Sequence, residues 1–242
     1  DMFDEGSGGE LHSKAEAVHS SSMLSYNFFH WIDGNNPFEW DGVTYTQVSF
    51  EVKMKTIEDS NAPANMDVVL IDKDKKHLLF IESKFTEYTE TKKFKLSDSY
   101  KDEKQWLNPN VAWGKVVDYK PENHKYKEGI KKLITHLFGI HSQFIEPCDR
   151  FKDIDFSSVQ MKFITLIFEP SKENFVEEHN AYEDYHKLFT DFIGKIGYAD
   201  GLKVVPEWVS YSALWQKMKD QMPEDLQKYL GERYMKFAQR YD

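Results

Sequence analysis

Alternating apolar and polar positions dominate the first half of the chain. In residues 43–56 the apolar side chains at 48, 50, 52 and 54 alternate with polar ones, which predicts a strand with Glu51 on the face opposite the apolar row. The turn-forming stretch "EDSNAPAN" precedes a second strand, residues 67–72, and "DKDKK" forms a tight polar turn into a third, residues 78–85. We therefore expect three consecutive strands in a meander.

Helical spacing of apolar residues marks the segments on either side of this meander. Residues 10–32 have two adjacent apolar faces, which predicts a long and mostly buried helix. The same spacing predicts helices over residues 128–144 and 173–197, and one or two closing helices over residues 212–241.

Two further apolar stretches complete the predicted order. "VQMKFITLIFEP", residues 159–170, is a continuous apolar run, as expected for a strand covered on both faces, and "LKVVPEWVSY", residues 202–211, is a candidate for one more strand. Residues 33–42 consist of turn-forming residues. The order helix, three strands, helix, strand, helix, strand, helix predicts an α/β fold with a central mixed β-sheet flanked by helices and with extra helices at the C-terminal end.

Length and composition are those of a globular domain. With 242 residues, 40% of them hydrophobic, we expect one domain over residues 1–242. No apolar run approaches a membrane span, and the first residues lack the apolar core of a secretory signal. Cys148 is the one cysteine, which excludes a disulfide framework and a cysteine-based zinc site within one chain. We expect a cytoplasmic protein.

The charge is unevenly distributed. The chain has 31 basic and 41 acidic side chains, and its net charge of -10 argues against indiscriminate coating of nucleic acid. Residues 92–132 have the opposite charge, because this segment contains eleven lysines and six acids, which gives a local charge of +5. Aromatic residues are interleaved with these lysines, which suits phosphate contacts with base stacking but equally suits a solvated loop with aromatic anchors. They are Phe94, Tyr100, Trp106, Trp113, Tyr119 and Tyr126.

Charged residues interrupt the second and third predicted strands. A charge in a core strand costs several kcal/mol unless a partner or a cation compensates it. Side chains alternate along a strand, so Glu82 and Lys84 point the same way, and an antiparallel second strand brings Asp67 beside them at one edge of the sheet. Two carboxylates with a backbone carbonyl and waters suit Mg²⁺ or Mn²⁺, and a neighbouring lysine suits a phosphate or a nucleophilic water.

This pattern resembles the PD-(D/E)xK nuclease superfamily, in which an Asp is followed after a variable gap by an acid, any residue and Lys on the next strand. Here it is Asp67, fourteen residues, then Glu82, Ser83 and Lys84, with Pro63 in a loosened position. "FEVKMK", "PANMD", "IESKFTEY" and "GIKKLITHLFG" extend the resemblance, which suggests a bacterial, restriction-endonuclease-like branch. The alternative is that Asp67 caps a turn while Glu82 and Lys84 form a surface ion pair.

The resemblance implies roles for five residues. Asp67, Glu82 and the backbone carbonyl of Ser83 would be ligands of Mg²⁺ or Mn²⁺. Lys84 would orient the attacking water or help to deprotonate it, and Glu51 would be an additional acid at the metal site or a base. The implied activity is metal-dependent hydrolysis of phosphodiester bonds, with DNA as the expected partner and a homodimer as a possible assembly.

Other residues are candidates for accessory roles. Glu10 or Glu16 on the first predicted helix would supply a further acid, and Glu87 would support the site. Lys132 and His136 lie four residues apart on one helical face, at positions where some superfamily members have a Gln and a Tyr that line the site. The different residue types here leave their roles open.

Two alternative functions are compatible with the same fold. A catalytically inactive nuclease-fold protein would act as a nucleic-acid or protein binding module, which the net charge of -10 favours. A non-nucleolytic metal hydrolase would have a small closed pocket instead of an open groove along residues 92–132. The intact Asp67, Glu82 and Lys84 favour the nuclease over the binding module.

Overall fold

The computed structural model describes residues 20–60, 62–86, 95–120 and 127–239. In these residues six strands and six α-helices follow one another in the order that the sequence predicts, with one additional short strand and one additional short helix. Their bounds are α1 Ser21–Phe29, β1 Phe38–Trp40, β2 Val43–Met54, β3 Ala64–Asp72, β4 His77–Lys84, α2 Gly114–Val117, α3 Lys127–Ser142, β5 Gln160–Ile167, α4 Val176–Ile196, β6 Pro206–Ser210, α5 Tyr211–Met218 and α6 Glu224–Arg233.

The six strands form one mixed sheet in the sequential order β1 to β6. Strands β1 to β4 are antiparallel, and β5 and β6 continue the sheet parallel to β4. Helices α3 and α4 contribute to the apolar core on one face, and helices α1, α5 and α6 contribute to the core on the other face. The predicted α/β class, with a central mixed sheet flanked by helices, is confirmed. The prediction of one domain over residues 1–242 stays a prediction.

The first helix is shorter than predicted. The expected helix over residues 10–32 is wrong in its described part, because Ser20 has extended backbone and its hydroxyl accepts a hydrogen bond from the Met23 amide, which caps the start of α1. The helix ends at Phe29, and Ile32 is buried in the turn that follows. Residues 10–19 lie outside the described residues.

The predicted turn over residues 33–42 contains the strand β1. Trp40 pairs with Val43, so Asp41 and Gly42 form a two-residue hairpin loop, and their φ angles of 50° and 80° are those that such loops require. An Asp-Gly pair between apolar residues is a strong hairpin signal, so the sequence contained this information. The second predicted strand also starts earlier, at Ala64.

The aromatic residues of residues 92–132, the lysine-rich segment, are part of the core wherever they are described, while Phe94 and Tyr126 lie outside the described residues. Tyr100, Trp113 and Tyr119 are buried on the α3 side of the sheet, and Trp106 packs against them partly buried. The three buried rings are therefore anchors for the segment and are not available for base stacking. In the part of the chain that the structure describes, no helix is long and apolar enough to cross a membrane.

Helix α3 lies close to the sheet because of Gly139. A Cβ atom at this position would come within 2.9 Å of the Ala64 Cβ and 3.1 Å of the Met54 Cβ, and these atoms move only with their backbones. We expect Gly139→Ala to lower the free energy of unfolding by about 1–3 kcal/mol, measured by urea denaturation. Gly194→Ala on α4 is the control, because nothing lies within 4 Å of its added Cβ, and it should be neutral or stabilising. Equal effects of the two substitutions would contradict this packing.

His141, near the C-terminal end of α3, makes stability depend on pH. Burial lowers the pKa of His141 from 6.5 to about 4, while its ring accepts the Lys203 amide and donates to the Leu137 carbonyl. The unfolded chain therefore binds this proton below pH 6.5 and the folded chain does not, so stability is lost as the pH falls from 6.5 to 4. We expect about 2 kcal/mol of this loss between pH 7 and pH 5, and less in His141→Gln. Urea denaturation at both pH values measures it; an unchanged loss in the variant would disprove the assignment.

Candidate active site

The candidate site lies where the two central strands of the sheet separate. Pairing between β3 and β4 ends at Val68 and Ile81, while β3 continues beside β2 and β4 continues beside β5. Asp67 and Glu82 are the next residues on either side of this fork. The sequence predicts that the two acids meet at one edge of the sheet, and they lie where the β3–β4 pairing ends, between two central strands.

Strands β2 and β3 both change faces at the fork. Phe50 packs in the core on the α1 side and Val52, two residues later, packs in the core on the α3 side. Glu51 between them has a φ angle of 50°, a conformation that costs a residue with a side chain about 1–3 kcal/mol. The residues on either side of Asp67 likewise belong to different cores. Local backbone strain thus coincides with one of the predicted acids, Glu51.

The Asp67 side chain takes the place of a backbone carbonyl as hydrogen-bond acceptor where the pairing of β3 with β4 ends. Its Oδ2 accepts a hydrogen bond of 2.6 Å from the Ser83 amide. Because the N–H and C=O of one strand residue point to the same neighbouring strand, the Ser83 carbonyl also faces Asp67. Burial, followed by the proximity of Glu82, raises the pKa of Asp67 well above its ordinary value of 3.8.

Glu82 is fully buried and is surrounded by basic groups. Lys84 Nζ contacts its Oε1, Lys132 Nζ lies 3.6 Å from the same oxygen, and His136 Nε2 lies 2.7 Å from Oε2. Burial alone would raise the pKa of Glu82, but these three basic groups outweigh burial, and its pKa lies well below the ordinary value. Glu82 is therefore ionised at neutral pH, next to an Asp67 that resists ionisation.

Lys84 projects to the same face as Glu82. Its side chain is only 4% exposed, and besides Glu82 its Nζ contacts the Ser83 carbonyl at 3.4 Å. The alternative of a surface ion pair is therefore wrong, because both partners are buried. The alternative of Asp67 as a turn cap is also wrong, because Asp67 lies within β3.

Glu51 is held by two residues that sequence reasoning missed. Ser22 at the start of α1 donates its hydroxyl to Glu51 Oε1 at 3.1 Å, and Asn65 Nδ2 donates to Oε2. The Asn65 Oδ1 atom is buried and has no hydrogen-bond partner among the described residues. The charge of Glu51 adds to the rise in the pKa of Asp67, so Glu51 and Glu82 both disfavour the ionisation of Asp67.

The opposite face of β4 ties the site to distant parts of the chain. The Ser83 hydroxyl lies 2.8 Å from the Tyr211 hydroxyl at the start of α5, and 3.3 Å from the Ser21 carbonyl of α1. Thr165 on β5 lies opposite Glu82 in the parallel register and is fully buried. No sequence motif indicated these contacts, because up to 128 residues separate the partners.

The accessory candidates divide into two groups. Lys132 and His136, on one face of α3, both reach Glu82. Lys132 is 52% exposed, so it lies at the mouth of the site, whereas His136 is buried. Glu10, Glu16 and Glu87 lie outside the described residues.

The donor set suits a hard cation with a partly hydrated shell. Over the described residues, the His, Cys, Asp and Glu side chains form no group of three or more that could hold a metal ion. Asp67, Glu82 and the Ser83 carbonyl nevertheless bring hard oxygen atoms to one fork, and Glu82 disfavours the ionisation of Asp67. Mg²⁺ typically uses one or two carboxylates and keeps several waters, so these residues fit it.

Comparison with known proteins places the chain in a family. The family described as "Restriction Endonuclease associating with ARP", REase-ARP, matches residues 3–235, nearly the whole chain. The chain belongs to the REase-ARP family. No curated protein and no solved structure matches it. The REase-ARP match covers all the strands of the sheet and every residue of the fork, and its description indicates a nuclease-like function.

Proposed function

We propose that the chain is a metal-dependent nuclease that hydrolyses phosphodiester bonds, with DNA as its substrate. The observation that carries the proposal is the fork, where Asp67 and Glu82 meet beside the Ser83 carbonyl and the buried Lys84. The membership in a restriction-endonuclease family supports it. The arrangement agrees with the PD-(D/E)xK pattern on which the sequence prediction was based.

Each residue of the fork has a chemical task in this proposal. Asp67, Glu82 and the Ser83 carbonyl would hold Mg²⁺ or Mn²⁺, with Glu51 as the additional acid. The bound ion would supply a water of lowered pKa and would neutralise charge on the phosphoryl oxygens. Lys84, held between Glu82 and the Ser83 carbonyl, keeps a positive charge beside the reacting phosphate, where it orients the attacking water.

The described residues that are placed for substrate contact suit phosphates more than bases. Lys132 is the cation at the mouth of the site that also touches Glu82, and its exposed ammonium is placed to meet a backbone phosphate. The buried Tyr100, Trp113 and Tyr119 offer no platform for stacking. A homodimer and a cytoplasmic location stay predictions.

A panel of substrates tests the proposed reaction. The intact chain is incubated with Mg²⁺ or Mn²⁺ and with double-stranded DNA, single-stranded DNA, RNA or a nitrophenyl phosphodiester. We expect cleavage of DNA that stops in EDTA. Turnover of the small ester alone would indicate a hydrolase of small molecules. Binding of DNA with no cleavage in either metal would indicate a binding module. Either result would refute the nuclease proposal.

A further inference from the structure

The two oxygens of the Glu82 carboxylate have different environments. Oε2 meets His136 Nε2 at 2.7 Å, inside the protein. Oε1 meets Lys84, and Lys132 lies 3.6 Å away with half of its side chain in solvent. Oε2 thus lies against a buried side chain, and Oε1 lies on the side where the half-exposed Lys132 borders solvent.

Among the described residues, His136 is fixed by packing and not by a second side-chain hydrogen bond. The side chain is buried, and its ring meets the Phe163 ring edge to face at 6.1 Å. Its Nδ1 atom is buried without a hydrogen-bond partner among the described residues. Since a carboxylate can only accept, Nε2 carries the hydrogen and donates it to Glu82. The one polar contact that His136 makes among the described residues is therefore directed at the candidate metal ligand.

We propose that His136 is a positioning residue that holds Oε2 of Glu82 and thereby presents Oε1 to the divalent cation. The inference rests on the proposed function, because it assigns the cation to Oε1. Without His136 the carboxylate could rotate about its last torsion, which is broad and roughly two-fold, and both oxygens would compete for Lys84. A donor behind a metal-binding carboxylate commonly changes metal affinity 10- to 100-fold.

Three variants separate this role from a merely structural one. His136→Leu removes the donor, His136→Gln keeps an N–H that can reach Glu82, and His141→Leu removes another buried histidine of the same helix that contacts Leu137 and Lys203 instead. Mg²⁺ and Mn²⁺ affinity of the intact chain is measured by calorimetry, beside thermal unfolding in EDTA. We expect H136L to weaken metal binding about 10- to 100-fold, H136Q to stay within a few-fold of wild type, and H141L to lose stability with unchanged affinity.

The outcomes distinguish the inference from the function on which it rests. If wild type binds metal through Asp67 but H136L binds it equally well, the inference is wrong and the nuclease proposal stands. If wild type binds no divalent metal, both fail. Should H136L not fold, the histidine ¹⁵N spectrum of wild type decides: the His136 Nε2–H signal, assigned by its loss in H136Q, should shift when Mg²⁺ is added while the His141 signal stays, and an unmoved His136 signal overturns the inference.

Discussion

Replacing Lys84 with methionine is expected to reduce phosphodiester cleavage at least a hundredfold, because the substitution removes the buried positive charge beside the two acids. The loss of one preorganised charge stabiliser typically costs about 10²- to 10³-fold in rate. The Lys84 ammonium contacts Glu82 and the Ser83 carbonyl and is shielded from solvent, whereas Lys132, which also lies near Glu82, is half exposed. Initial rates of plasmid nicking at saturating Mg²⁺ measure the effect.

A control variant and a folding check are needed to interpret this rate. Lys104→Met removes an exposed lysine of the lysine-rich segment and should leave the rate within about threefold, because exposed charges contribute little individually. Circular dichroism is used to check that Lys84→Met is folded. We expect it to fold, because Lys132 and His136 remain near Glu82. A folded Lys84→Met protein that cleaves at the rate of Lys104→Met would exclude a catalytic role for Lys84.

Replacing Asp67 with asparagine is expected to abolish cleavage and yet stabilise the metal-free protein by about 1 kcal/mol at pH 7. Burial and the neighbouring Glu82 raise the pKa of Asp67, so above pH 3.8 the folded chain holds this proton more tightly than the unfolded chain. Wild-type stability from this group therefore falls as the pH rises, and the advantage of Asp67→Asn grows with pH. The asparagine Oδ1 can still accept the Ser83 amide.

Glu82→Gln should behave in the opposite way. Glu82 compensates the buried Lys84, and the removal of one partner of a buried ion pair costs about 3–5 kcal/mol. Urea denaturation of both variants in EDTA at pH 5 and pH 8 measures the contrast. Mg²⁺ should then stabilise wild type but not Asp67→Asn. Equal destabilisation by the two substitutions would show that both acids have the same structural role and that neither is held ready for a cation.

The central part of the site was predictable because strand geometry is regular. The two-residue period places Glu82 and Lys84 on one face, and the short turn after Asp72 brings Asp67 beside the end of β4. The free-energy cost of burying a charge also made these residues predictable, because a charged side chain in an apolar strand needs a compensating partner. The order of helices and strands followed from the same periods.

Other features could not be read from local patterns. The fork requires β3 and β4 to separate beyond the Val68–Ile81 pair, and the face switch at Glu51 breaks the alternation on which strand prediction relies. The Tyr211 hydroxyl reaches Ser83 across the sheet, a contact that only the tertiary fold creates. The buried aromatic residues of the lysine-rich segment resembled a binding surface because composition does not distinguish an anchor from a platform.

The central claim is that the fork between β3 and β4 is a metal-dependent phosphodiesterase site. The most direct test incubates supercoiled plasmid with equal folded concentrations of wild type and Asp67→Asn, in Mg²⁺ and in EDTA. We predict nicked or linear DNA with wild type in Mg²⁺ and intact plasmid in the other three reactions. Equal cleavage by Asp67→Asn in Mg²⁺, or wild-type cleavage in EDTA, would contradict the claim.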